Sequence, residues 1–241
     1  MGSERLAEAL EQIEFHVSQG ALPCVVFDLD STLFTTGPRN KRILTEFAEV
    51  AEPRFAGITE AAAKIAPETI GWSLLDALAA QGMSDAYMQA QLMAFWKARF
   101  FTDAYVISDG VLAGAVDFVT ACHDRGANVY YLTGRHVSDM GAGTVRAITD
   151  AGLPFWRGRT SLHLKAAFDI PDLEHKLGAI ADIRSYGGPV VATFENEPEN
   201  ANLFLEQFPD GMHFFLLTEH SPKPVQPHAD LIRIKDFTLP Q

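Results

Sequence analysis

Short apolar runs alternate with amphipathic helical patterns along this chain, and that alternation constrains the fold more than any other feature. Three runs are rich in β-branched and aromatic residues and too short for buried helices, so each predicts a buried strand: 23–27, 128–132 and 189–194. A short run lies at 105–107 and a weaker extended run at 161–164, and two further strands are predicted at 213–217 and 231–234. Helical patterns lie at 111–125, 138–151, 172–186 and 198–208. Apolar strands separated by helices are typical of a sheet covered on both faces. The sequence therefore predicts an α/β fold with a Rossmann-like, mostly parallel sheet.

The segment between the first strand and the rest of the chain is helical and contains no strand-like run. Apolar residues recur at helical spacing, Pro67 is well placed to open one helix, and Ser84 is well placed to cap another. Because this segment interrupts the alternating pattern, we expect a small all-helical cap over 34–104, inserted into a core domain formed by 1–33 and 105–241.

Net charge limits the partners that the protein can take. The 241 residues are 47% hydrophobic, which is enough to bury a substantial core, and their formal net charge is −12. An acidic chain repels phosphate backbones, so we expect no nucleic-acid partner. A negatively charged substrate must be attracted by local positive charge or by a bound cation.

The cysteines and the N-terminal segment indicate a cytoplasmic protein. Cys24 and Cys122 belong to no CxxC or Cys/His cluster, which indicates two reduced, buried thiols and neither a disulfide nor a zinc site. Residues 1–17 lack the basic start and the continuous apolar stretch of a signal peptide. No apolar run is long enough to span a bilayer. We therefore expect a cytoplasmic location and no membrane partner, while nothing in the sequence indicates an oligomeric state.

Polar and acidic side chains follow the three clearest strands. They are Asp28 and Asp30 after the first strand, residues 133–135 after the second and residues 195–197 after the third. In an open α/β sheet, ligands bind at the carboxyl ends of the strands. We therefore expect these groups to converge on one edge of the sheet.

The acidic residues among them predict a magnesium site. Asp28 and Asp30 are two positions apart, so in extended geometry their side chains leave the same side of the chain. Like charges this close repel, and a hard cation is the usual way to hold them together. With Glu195 from a neighbouring strand end, the oxygen donors suit Mg²⁺, which keeps several waters and shares its shell with a substrate phosphate. We expect Asp28, Asp30 and Glu195 as its ligands, although an Asp-x-Asp pair alone is often only a turn or a helix cap.

Taken together, the motifs resemble those of the haloacid dehalogenase-like hydrolases. The resemblance rests on Asp-Leu-Asp-Ser-Thr at 28–32, Thr-Gly-Arg at 133–135, a lysine before the third strand and an acidic cluster after that strand. It covers about 20–33 and 105–217, and the helical insertion matches the position of that family's first cap. The second acid, Asp30, is similar to the phosphatase branch of the family.

The resemblance implies a division of labour in the hydrolysis of a small phosphorylated substrate. Asp28 would be the nucleophile that forms an aspartyl-phosphate, and Asp30 the general acid and base. Thr133 and the backbone N–H of Gly134 would hold a phosphoryl oxygen, while a lysine neutralises charge. Mg²⁺ would bridge Asp28, the backbone carbonyl of Asp30, Glu195 and the phosphate.

The chain departs from the family pattern at two positions. Ser31 stands where the family usually has glycine, which we expect to be tolerated because serine is small. The fourth motif usually carries two aspartates, whereas here Glu195 is followed by Asn196, so Glu197 and Glu199 are further candidates for assisting the metal. Because this motif lacks the usual two aspartates, a catalytically idle binding protein is one alternative. A phosphotransferase or phosphomutase on the same scaffold is the other alternative.

Two lysines are candidates for the family's motif lysine. Lys176 lies in the predicted helix before the third strand, where the family places it, and Lys165 follows a weak extended run. We favour Lys176. Arg135 is expected to form a structural salt bridge near the site.

Five other basic or imidazole side chains are expected at the surface. Arg39, Lys41 and Arg42 are interpreted as a solvated entry into the cap, and His220 and His228 as residues of an exposed, proline-rich loop.

Overall fold

A six-stranded sheet, parallel throughout, forms the centre of the structure, a computed structural model that describes residues 2–240. In chain order the elements are α1 (Gly2–Ser18), β1 (Cys24–Phe27), β2 (Phe34–Thr35), α2 (Gly37–Ala51), α3 (Ile58–Lys64), a 3₁₀ turn (Pro67–Thr69), α4 (Leu74–Ala79), α5 (Ala86–Phe100), α6 (Asp103–Val106), β3 (Gly110–Val111), α7 (Ala115–Asp124), β4 (Asn128–His136), α8 (Val137–Asp150), β5 (Thr160–Lys165), α9 (Asp172–Ser185), β6 (Val190–Glu195), α10 (Pro198–Gln207), β7 (Met212–Leu216) and β8 (Ile232–Ile234). The strand order is β5-β4-β1-β6-β7-β8, while β2 and β3 form a separate two-stranded sheet. The predicted α/β fold is confirmed.

Helices cover both faces of the large sheet. Alternate residues of a strand point to opposite faces. Cys24 and Val26 on β1 pack in one buried cluster with Ile180 of α9. Phe27 points the other way and contacts the ring of Phe118 on α7 at 6.3 Å between centroids. Strand β1 is therefore buried on both sides, which is why its sequence is apolar throughout.

A layer of aromatic rings lies directly behind the acidic strand ends. Phe27, Phe194 and Phe214 occupy matching positions on the adjacent strands β1, β6 and β7. Their rings stack with centroid separations of 4.8 and 4.6 Å. Each of the first two precedes an acidic residue, Asp28 or Glu195, so the packing of these rings fixes the spacing of the two carboxylates.

The chain divides into two compact units. The first comprises residues up to 34, residues 111–138 and residues from 148 onward, and it contains the large sheet. The second comprises 35–110 and 139–147, so it extends beyond the cap expected over 34–104. The additional residues are 105–110 and 139–147, and the second of these ranges belongs to α8.

A separate apolar core holds the second unit together. Its fully buried members include Leu44 on α2, Ile58 on α3, and Met88 and Leu92 on α5. Two helix starts differ from expectation: α4 begins after a distinct 3₁₀ turn, and the side chain of Asp85, one residue beyond Ser84, caps α5. Met88 and Leu92 thus belong to the core of this unit.

One strand prediction is wrong. The run at 105–107 belongs to a helical turn, α6, because the carbonyl of Thr102 accepts hydrogen bonds from the N–H groups of Tyr105 and Val106. Aromatic and β-branched residues favour strands, but three of them are too few to outweigh local hydrogen bonding and the burial of Val106.

Two other expectations concern thiols and membrane spans. Cys24 and Cys122 are both buried free thiols, as predicted. Within residues 2–240, no helix combines the length and the apolar character needed to cross a membrane.

The expectation of a solvated Arg39 is wrong. Its guanidinium is fully buried and donates to Asp109 from Nε at 2.7 Å and also from Nη2. It also donates from Nη1 to the carbonyl of Phe100 at 3.1 Å and lies 4.3 Å from the centroid of that ring. Planar, multivalent arginine is suited to such a buried pair. Lys41, by contrast, donates to the carbonyls of Ala62 and Ile65 at the end of α3.

We predict that Asp109→Asn lowers the free energy of unfolding by about 3–5 kcal/mol, because it leaves a buried guanidinium without its counter-charge. The double variant Arg39→Met/Asp109→Leu should cost less than this single substitution. Urea unfolding measures both. Glu60→Gln, which removes one partner of the exposed Lys64–Glu60 pair, is the control and should leave stability unchanged. Equal effects of Asp109→Asn and Glu60→Gln would contradict the prediction.

Candidate active site

Asp28 occupies the first position beyond β1, at the carboxyl edge of the sheet. Its N–H donates to the carbonyl of Phe194 at 3.0 Å, which extends the pairing of β1 with β6 by one residue. The side chain is 8% exposed. Asp28 is therefore held by the sheet and is nearly buried.

Lys176 joins the ends of β1 and β6. Its Nζ donates to Asp28 Oδ1 at 2.8 Å and to Glu195 Oε2 at 2.5 Å, and its side chain is 1% exposed. Lys165 makes neither contact and lies with its Nζ 5.9 Å from the ring centroid of Phe168. Of the two candidate lysines, Lys176 is the one that the fold brings to Asp28.

Glu195 is fixed through both of its carboxylate oxygens. Oε2 accepts from Lys176, and Oε1 accepts from the backbone N–H groups of Asn196 and Glu197, each at 3.0 Å. The side chain is completely buried at the end of β6. Glu195 has little freedom to turn.

Burial dominates the electrostatics of this cluster. Desolvation raises the pKa of both Asp28 and Glu195, and the ammonium of Lys176 offsets this only in part. Burial alone would lower the pKa of Lys176, but Asp28, Glu195 and Asp172 together raise it well above its ordinary value. The lysine stays protonated, and further positive charge beside Asp28 and Glu195 would favour the ionised form of both carboxyls.

Asp30 is turned toward Arg135. The guanidinium of Arg135 donates to both carboxylate oxygens, from Nη2 at 2.7 Å and from Nε at 3.1 Å, and its side chain is buried. Asp30 itself is one-third exposed. The salt bridge expected for Arg135 therefore exists, and its partner is the predicted general acid and base.

Ser31 adopts the left-handed conformation, with φ of 57°. The N–H groups of Thr32, Leu33 and Phe34 all donate to the carbonyl of Leu29, which makes the chain turn sharply after Asp30. Glycine suits this position because of its backbone freedom, so small size alone does not explain the family's preference.

Thr133 and Gly134 lie inside β4, just beyond Tyr131, where the pairing of β4 with β1 ends. Thr133 is buried, and its Oγ1 accepts from the N–H of Arg135 at 3.2 Å. A Cβ added at Gly134 would lie 2.3 Å from Asp172 Oδ1, so only glycine allows this carboxylate to approach β4. Gly134 is thus required for packing as well as for any contact with phosphate.

The other residues of the fourth motif, which follow Glu195, have partners elsewhere. Asn196 accepts from the hydroxyl of Thr32 at 3.2 Å and donates to the carbonyl of Glu219 at 2.7 Å. Glu197 accepts from the N–H of Ser221 at 2.7 Å, and Glu199 pairs with Lys223 at 2.7 Å, both in the loop after β7. These contacts anchor the loop and leave Asp28 and Glu195 as the facing carboxylates.

A magnesium ion fits part of the predicted ligand set. Among residues 2–240 no group of three His, Cys, Asp or Glu side chains is arranged to hold a metal ion, and the Asp30 carboxylate is bound by Arg135. Asp28 and Glu195, however, both face Lys176, and burial raises the pKa of each, so a further cation beside them would favour their ionised forms. Mg²⁺ commonly takes one or two carboxylates from the protein and fills its shell with water and phosphate. Two carboxylates therefore fit, and the contribution expected from Asp30, its backbone carbonyl, does not depend on the carboxylate that Arg135 binds.

Sequence reasoning missed Asp172 and Asn200. Asp172, the first residue of α9, lies four residues before Lys176, with its Oδ2 3.8 Å from Nζ. The Nδ2 of Asn200, in the first turn of α10, donates to the same Oδ2 at 2.9 Å. The i,i+4 spacing of Asp172 and Lys176 was the available signal. An aspartate at a helix start is commonly ascribed to the helix dipole.

Comparisons with known proteins give distant structural similarities only. No protein-family model and no curated protein matches the chain. It is similar to the class C acid phosphatase from Bacillus anthracis with tungstate bound, at 13% identity and a TM-score of 0.43 over 83% of this chain and 64% of that one. It is also similar to haloacid dehalogenase-like family hydrolases from Streptococcus pneumoniae (10%, TM-score 0.48, 87% and 89% covered) and Xanthomonas campestris (12%, 0.45, 90% and 91%). Because each TM-score is below 0.5, a function has to be argued from the site itself.

We predict that Gly134→Ala destabilises the protein by about 1–3 kcal/mol, because the new methyl group meets the Asp172 carboxylate. Gly178→Ala, on the same helix as Asp172 with open space around its Cβ, is the control and should be neutral or up to about 1 kcal/mol stabilising. Thermal unfolding of the two variants measures the difference. Equal stability would contradict the close approach at Gly134.

Proposed function

We propose that this protein is a Mg²⁺-dependent phosphomonoester hydrolase that acts through an aspartyl-phosphate on Asp28. The observation that carries the proposal is the shared contact of Lys176 with Asp28 and Glu195 at the carboxyl ends of two adjacent parallel strands. A buried carboxylate beside a buried, protonated lysine is a nucleophile placed next to the charge that its reaction requires. The resemblance of the motifs to the haloacid dehalogenase-like hydrolases supports the same conclusion.

In the first half-reaction, a carboxylate oxygen of Asp28 attacks phosphorus and the bond to the leaving oxygen breaks. Asp30 gives its proton to that oxygen, so the leaving group departs as an alcohol. Negative charge builds on the phosphoryl oxygens during the attack. The ammonium of Lys176, whose Nζ lies 2.8 Å from Asp28 Oδ1, offsets this charge. Thr133 and the N–H of Gly134, on neighbouring β4, bind the phosphoryl group.

In the second half-reaction, water attacks the phosphorus of the aspartyl-phosphate. Asp30 removes the proton from that water, and the acyl phosphate bond breaks to restore the Asp28 carboxylate and release phosphate. Arg135 holds Asp30 through two hydrogen bonds, so the base starts from a defined position.

Magnesium would be held by Asp28 and Glu195. The ion would supply positive charge for the phosphate oxygens and would stabilise the ionised form of the two buried carboxyls. Glu195 is well prepared for this role because its other oxygen is fixed by two backbone N–H groups.

We predict phosphate release from a panel of sugar phosphates, nucleotides and phospho-amino acids, with loss of activity in EDTA. Asp28→Asn should lower turnover by at least ~1000-fold, because the amide is not nucleophilic. Asp210→Asn, an exposed residue before β7, is the matched control and should retain activity. If the wild type is no more active than Asp28→Asn across the panel, the protein is an idle binding protein. Release that requires an added acceptor would identify a phosphotransferase.

We predict that Asp30→Asn accumulates the covalent intermediate. The amide side chain of this variant cannot deprotonate water, so hydrolysis of the aspartyl-phosphate should slow by about 10²–10⁴-fold. An aryl phosphate, whose leaving group needs no proton, still allows the first step. Mass spectrometry of the quenched variant should then show Asp28 heavier by one phosphoryl group. A phosphoryl group on a residue other than Asp28, or no phosphoryl group on the wild type and the Asp30→Asn variant alike, would exclude this mechanism.

A further inference from the structure

The side chain of Lys176 needs something to orient it. Lysine has four rotatable bonds, and burial of its ammonium is costly unless every N–H has a partner. Asp28 and Glu195 accept two of the three N–H donors at 2.8 and 2.5 Å. The next anionic group is Asp172, whose Oδ2 lies 3.8 Å from Nζ on the side of α9. At that distance the contact is an ion pair without a hydrogen bond.

Asp172 is held in place from two directions. Its Oδ2 accepts from Asn200 at 2.9 Å, and Asn200 is itself buried at the start of α10. Its Oδ1 is buried with no hydrogen-bond partner among the described residues and lies against Gly134, where a Cβ would come within 2.3 Å. A glycine on β4 and an asparagine on α10 together keep the carboxylate beside Lys176.

The charge of Asp172 is preserved in this setting. Burial raises its pKa, but the ammonium of Lys176 and the hydrogen bond from Asn200 outweigh burial, so the pKa is lowered. Asp172 is therefore an anion at neutral pH. The residue after Glu195, by contrast, is the neutral Asn196, whose amide is engaged by Thr32 and Glu219.

We infer that Asp172, held by Asn200, is a positioning residue that keeps the ammonium of Lys176 on Asp28 and Glu195. The inference rests on the proposed function, because it assigns Asp172 a part in the same reaction. It acts through Lys176 and does not touch the reacting atoms. A positioning role changes turnover more than substrate binding, because Lys176 offsets charge that develops during attack.

The test exchanges the two side chains across their hydrogen bond. Asp172→Asn should lower kcat by about 10- to 100-fold with little change in KM, as misplacement of a catalytic group does. Asn200→Asp adds a second carboxylate beside the first and should also lower kcat. The double variant Asp172→Asn/Asn200→Asp returns one carboxylate to the pair and should recover most of the loss. Glu174→Gln, an exposed acid on the same helix, should match the wild type.

Unchanged kcat in Asp172→Asn overturns the inference, and so does a double variant no more active than Asp172→Asn at equal thermal stability. If the wild type is no more active than Asp28→Asn, the proposed function fails by itself. Crystal structures of the wild type and Asp172→Asn then decide the inference. If the Lys176–Asp28 hydrogen bond is present in the wild type and lost in Asp172→Asn, the inference is supported. If Lys176 has the same position in both structures, the inference is overturned.

Discussion

One buried ammonium shared by two carboxylates is the interaction on which the candidate site depends. Lys176 is 1% exposed and contacts Asp28 and Glu195 from the helix that covers their strands. Removal of Asp28 or Glu195 would leave the buried ammonium with one hydrogen-bond partner fewer and would destabilise the fold, whereas in the complete cluster the opposite charges stabilise one another. The parallel pairing of β1 with β6, backed by stacked aromatic rings, sets the distance between the carboxylates. The sheet therefore positions the two carboxylates, and Lys176 links them through its two hydrogen bonds.

The sheet and its acidic edge could be predicted from the sequence because their signals are local. Each clear apolar run became a strand, and the rule that ligands lie at the carboxyl ends of parallel strands placed Asp28 near Glu195. The choice between Lys165 and Lys176 depended on which face α9 turns to the sheet, and its sequence alone did not decide that. The run at 105–107 was too short for strand propensity to decide its structure.

The residues that sequence reasoning misjudged are those whose partners are distant in the chain. Arg39 has the composition of a surface residue, yet its partner Asp109 lies 70 positions away and buries it. Asp172 and Asn200 are 28 positions apart on different helices. No periodicity or spacing connects such pairs. Only the packing of the elements reveals that a charged residue is buried or that an amide holds a carboxylate.

The balance of charge around the site explains why a cation belongs to the proposed reaction. Asp28, Asp172 and Glu195 surround one lysine, and Asp30 pairs with Arg135. The formal net charge of the whole chain, these residues included, is −12. A phosphate monoester that approaches such a surface is repelled unless local positive charge exceeds what Lys176 and Arg135 supply. A divalent ion held by Asp28 and Glu195 would reverse that balance beside the proposed nucleophile. The softened fourth motif, with a single facing glutamate, is therefore compatible with catalysis as long as that glutamate and the nucleophile remain together.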